Sequence, residues 1–149
     1  MRYHKLWCVL IPVLFVVACS GDGSNLTGPS NEIPNVAGNY SGTTTIAYPE
    51  LGNSVSCSTT TSVTQTSGGR VSIAPLQLRG ECGTMSIPLG DFTIDATGSL
   101  GQESGTVTMS CGVYNAVGGG GFFGRRLEGS YVYTSRTCYN MNVTISLTR

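Results

Sequence analysis

Met141-Asn142-Val143-Thr144-Ile145-Ser146-Leu147-Thr148 alternates apolar and polar side chains without a break. In an extended chain successive side chains point to opposite faces. Met141, Val143, Ile145 and Leu147 therefore form one buried face, and the residues between them a wet one. The same period of two recurs upstream. Tyr40 to Tyr48 puts Tyr40, Thr44, Ile46 and Tyr48 together, and Ser56 to Thr66 alternates less cleanly around Val63. Arg70 to Leu78 pairs Val71 with Ile73, after which Pro75 predicts a bulge that passes the inward face to Leu76 and Leu78. Met85, Ile87 and Leu89 share a face, as do Phe92, Ile94 and Ala96, then Val107, Met109, Cys111 and Val113, then the strand Leu127 to Thr134 with Tyr131 and Tyr133. These eight segments are separated by Gly, Asn, Asp or Pro, and no stretch sustains a helical period. Short consecutive strands with hairpin-length links predict an all-β fold, an eight-stranded antiparallel up-and-down β-barrel. A β-sandwich is the competing arrangement, though it more often needs long crossover links.

Ahead of the strands the chain changes character. Residues 20–36 (SGDGSNLTGPSNEIPNV) lack periodicity and read as a flexible tether, with a mean reach of roughly 20–25 Å. The barrel domain is accordingly expected over residues 37–149, enough for a single core. Before the tether, Arg2 and Lys5 precede an apolar run from Leu6 to Ala18. That run is too short to span a bilayer and is interrupted by Pro12. It ends in Val16-Val17-Ala18-Cys19, which resembles the lipobox of bacterial lipoproteins. The resemblance implies a signal peptide over residues 1–18, removed to leave acylated Cys19 as the membrane anchor. It places the protein in the bacterial cell envelope, and Ser20 after the cysteine favours the outer membrane. An ordinary secretory signal with a nearby cleavage site is the alternative.

Removing residues 1–18 takes away His4, the only histidine, together with Arg2 and Lys5, leaving six arginines against eight Asp and Glu, a formal charge of −2. Such a chain has no basic footprint for nucleic acid. Without histidine, Ser-His and Cys-His nucleophile pairs and histidine metal ligands are excluded. Four cysteines follow Cys19, an even number that in an exported chain reads as two disulfides. Their wide spacing does not suit a metal site. Cys57–Cys82 flanks the Ser67-Gly68-Gly69 turn nearly symmetrically, and Cys111–Cys138 brackets Gly118–Gly121. That pairing is favoured over Cys82–Cys111 with Cys57–Cys138.

Two residue groups invite a functional reading. Asp91 and Asp95 would face the same way on one strand about 13 Å apart, too far for paired carboxylate chemistry, and are read as a solvated face. Gly118-Gly119-Gly120-Gly121-Phe122-Phe123-Gly124-Arg125-Arg126 is either a mobile loop or a plain glycine-rich hairpin with one phenylalanine in the core. As a loop it would use Phe122, Phe123, Arg125 and Arg126 at the barrel mouth, on a partner or on the membrane. It is no phosphate cradle, since no helix follows.

The opening Gly38-Asn39-Tyr40-Ser41-Gly42-Thr43 resembles the Gly-x-aromatic start of lipocalins, and the ending Thr144-Ile145-Ser146-Leu147-Thr148-Arg149 is similar to the last strand of small lipocalin-like bacterial lipoproteins. The resemblance implies a calycin-type barrel in which Tyr40, standing where lipocalins have Trp, packs under Arg149 at the closed end. It also implies a small apolar or amphipathic ligand at the open end, without a cofactor. The barrel interior reads as filled or nearly so, and no catalytic activity is expected. A second expectation, from another class, is a structural or inhibitory lipoprotein whose loops act on an envelope protein partner.

Overall fold

The structure, a computed structural model, describes residues 32–149. The signal segment, Cys19 and most of the expected tether lie outside the described residues. Over the described residues the chain is all-β and antiparallel. Its strands are β1 (Gly38–Tyr48), β2 (Asn53–Gln65), β3 (Arg70–Ile73), β4 (Leu76–Gly80), β5 (Met85–Ile87), β6 (Gly90–Thr93), β7 (Ser99–Thr108), β8 (Val113–Phe123), β9 (Arg126–Thr134) and β10 (Met141–Thr148).

Ten strands make eight staves. β2 pairs with β3 from Val63↔Ile73 and with β4 from Thr60↔Gln77, a one-residue shift that places the bulge at Ala74-Pro75. Val71 and Ile73 are buried before it, Leu76 and Leu78 after it. Thr61 donates its hydroxyl to the bulged Ala74 carbonyl at 2.6 Å. The second break has the same cause. Between Ile73↔Gly90 and Leu76↔Ile87 the register sets Pro75 opposite Pro88. Neither proline has an N–H for the ladder, so β3/β4 and β5/β6 each lapse there.

The meander runs in one sheet, and the last strand returns to the first through Thr44↔Ile145 and its neighbours. The result is a curled, barrel-like sheet rather than a two-sheet sandwich. Its seam lies between β6 and β7, joined at the single bridge Ile94↔Leu100. Beyond that bridge the walls part, and β7 is exposed on both faces over most of its length.

Inside, alternate residues of the staves other than β7 fill the core, among them Ile46, Leu76, Leu78, Ile87 and Val143, all fully buried. Thr44 is fully buried as well, and among the described residues its Oγ1 has no hydrogen-bond partner. An orphaned buried hydroxyl costs about 1–3 kcal/mol. Thr44→Val keeps the branched shape and removes the orphan, so it should raise the urea midpoint, by about 1 kcal/mol of stability. An unchanged or lower midpoint would mean that the hydroxyl finds a partner.

Packing begins upstream of the expected boundary at Ala37. Val36 is in the core, its amide donating to Gln65 Oε1 at 2.8 Å, while Gln65 Nε2 donates to the Pro34 carbonyl at 3.0 Å. Ile33 lies against Gly69. Residues 33–36, expected within the tether, are thus part of the domain.

Candidate functional site

Antiparallel pairing sorts the connections into two ends. One end carries the turns at 66–69, 95–98 and 124–125, with residues 33–37 and Arg149. The other carries those at 49–52, 81–84, 109–112 and 135–140.

The first end is closed. Tyr40 donates its hydroxyl to the Val36 carbonyl at 2.8 Å, and its ring meets Phe122 edge-on at 5.7 Å. Arg149 crosses above Gly38 and donates from Nη1 to the carbonyls of Ala37, at 2.8 Å, and Asn35, at 3.2 Å. Burial pushes the Tyr40 phenol up, an effect the positive Arg149 partly offsets. The two side chains named from the family resemblance are therefore close enough to feel each other's charge.

The glycine-rich stretch is not a loop. Gly118–Gly121 forms the middle of β8, paired along its length with β9. The turn is Gly124-Arg125, with Gly124 at φ 64 in the first position of a two-residue hairpin. Phe122 is buried at 3% exposure, whereas Phe123 is open to solvent. Arg125 donates to the Arg149 carbonyl, and Arg126 pairs with Glu128. This group sits at the closed end, so it cannot cover the mouth. The periodicity was hidden because glycine has no side chain to mark a face.

The carboxylates of Asp91 and Asp95 do not form a site. Asp95 lies in the β6–β7 turn, where it accepts from the Thr97 hydroxyl and amide and from the Ser99 amide, at 2.6, 2.8 and 3.0 Å. The Thr97 hydroxyl and Ser99 amide are the main causes holding its pKa below the usual value. Asp91 lines the seam with Glu103, beside openings of about 410 and 110 Å³.

Tyr131 and Tyr133 back onto that seam. Burial, helped by nearby Glu103, pushes the Tyr131 phenol up to about 12, and burial raises Tyr133 as well. Raised folded-state values mean that the unfolded chain gives up these protons first. The stability present below pH 10.0, the ordinary tyrosine value, should therefore fall as pH rises towards about 12. Urea midpoints across that window, alongside phenolate absorbance, would read it. Midpoints flat to pH 12 would contradict the burial of these rings.

The second end is open. Its mouth encloses about 620 Å³ and is lined by Tyr48, Tyr114, Tyr139, Met85, Met109 and Met141, with Cys82 and Cys111. Both disulfides lie here. Cys57–Cys82 and Cys111–Cys138 span Cα separations of 5.7 and 6.1 Å, within the normal range. The second pair brackets a different centre from the one expected. Cys111 is 13 residues before Gly124 and Cys138 is 13 after Arg125, so the true turn gives the symmetry that Gly118–Gly121 did not. Glu50 accepts from the amide and side chain of Asn140, tying the β1–β2 turn to the β9–β10 loop. Burial raises the Tyr114 phenol, assisted by neighbouring Tyr48.

The sequence did hold a signal for this mouth. Met85 follows Cys82 by three residues, Met109 precedes Cys111 by two, and Met141 follows Cys138 by three. Wherever the bridges gather, the methionines must gather too. Among the described residues no cluster of His, Cys, Asp or Glu suits a metal, and no helix is long and apolar enough to cross a membrane. No family model, curated protein or solved structure matches this chain.

Proposed function

We propose that this chain is a lipid-anchored envelope lipoprotein of lipocalin-like build that binds a small apolar molecule in its open mouth. The contrast between the two ends carries the reading. One is plugged by residues 33–37, Phe122 and Arg149, while the other is an open cup of about 620 Å³ lined in part by Tyr and Met. The described chain enters at the plugged end, so a tether from acylated Cys19 would hold that end towards the bilayer. The mouth would then face away, on the outer membrane if Ser20 acts as the sorting residue. The role is binding, not catalysis.

Native mass spectrometry of the full chain isolated from envelopes tests the binding role. A reproducible added mass of a few hundred daltons supports it, and its consistent absence across growth conditions counts against it. Loss of palmitate incorporation in Cys19→Ser tests the anchor separately. A second reading, contact with an envelope protein, is favoured by a different observation: Val117 and Val132 face each other across β8 and β9 and are exposed outward at 42% and 45%, with Val113 nearby. Crosslinking from these positions to one envelope protein, with an empty mouth, would favour it.

A further inference from the structure

Given the binding role proposed above, we infer that the mouth selects a compact aromatic ring over an alkyl or acyl chain. The lining is unusual in kind. Among prolines and short hydroxyl side chains, Met85, Met109 and Met141 lie on it with Tyr48, Tyr114 and Tyr139. Thioether sulfur is polarisable and makes favourable contacts with ring edges, and tyrosine rings favour edge-to-face partners. An alkyl chain would gain little from these groups that a wall of leucine would not supply equally well.

Shape points the same way. The cup has a floor, for Tyr114 meets Tyr133 edge-on at 6.4 Å and 81°, with Tyr133 only 1% exposed. Beneath, Ile46, Leu78, Ile87 and Val143 fill the shaft with 0% exposure. A long chain would need that shaft, whereas a fused two-ring molecule needs width without depth. The tyrosine hydroxyls among the lining residues can donate to or accept from a ring substituent such as a phenol.

The test uses the methionine methyl signals of the mature chain, in which the processing proposed above leaves Met85, Met109 and Met141. The protein would be labelled at the methionine methyl carbon and titrated with 2-naphthol and, separately, with decanoate. The expected result is saturable ring-current shifts of Met85, Met109 and Met141 with 2-naphthol, and no saturable response to decanoate. Met85→Gln/Met109→Gln, which keeps side-chain length, should weaken 2-naphthol binding about tenfold through the lost sulfur–ring contacts. The signal of buried Met141 would report that the variant remains folded. Saturation by decanoate, alone or equally with 2-naphthol, would overturn the ring preference and leave the binding role standing. Silence towards both probes, together with no co-purified mass, would remove both.

Discussion

Gly120→Val is expected to abolish folding or to lower stability by at least about 3 kcal/mol, beyond the usual range for overpacking. Gly120 lies on the inward face of β8 opposite Gly129. A Cβ there would press on the Glu128 carbonyl oxygen and come within 2.7 Å of the Gly129 Cα. Those are backbone atoms of the neighbouring strand, so no rotamer change relieves the contact. Gly118 is crowded in the same way, its Cβ position lying 2.7 Å from the Tyr131 Cα. The matched control is Gly101→Val in β7, where a Cβ meets nothing within 4 Å and φ is not positive. Equal urea midpoints for the two variants would show that β8 and β9 do not approach as described.

Removing the bridges should be nearly as damaging. Each closes a loop of 25 or 27 residues, which the chain-entropy model values at about 3–4 kcal/mol. Against a typical domain stability of about 5–15 kcal/mol, losing both would leave little. Cys57→Ala/Cys82→Ala should cost more than Cys111→Ala/Cys138→Ala. Cys57 is buried at 1% exposure and leaves a void, while Cys111 is exposed. Denaturant melts of the two double variants and of the reduced protein would give the order. A reduced protein that melts with the oxidised one would remove the disulfides from the account of stability. Because the bridges border the mouth, their loss should also broaden the signals of Met85 and Met109 before global unfolding.

Much of the barrel is legible in the residues. The alternation from Met141 to Thr148 holds residue by residue in β10, and Pro75 marks its bulge. β8 was not legible. Gly118–Gly121 carries no hydrophobic pattern, and its strand character comes from pairing with β9 on one side and β7 on the other. The site was harder still. Met85, Met109 and Met141 each lie two or three residues from a bridging cysteine, but that the two bridges sit at one end of the sheet is decided by register.

Alternation, turn residues and an even cysteine count determined on their own that the domain is an antiparallel β fold with two bridges, because each is a local consequence of strand geometry or of paired thiols. Tertiary structure alone decided which end is plugged, where the seam opens and which side chains share the mouth. These depend on register and on the coil of the whole sheet, summed over strands far apart in the chain. Such sums leave no trace in any one stretch.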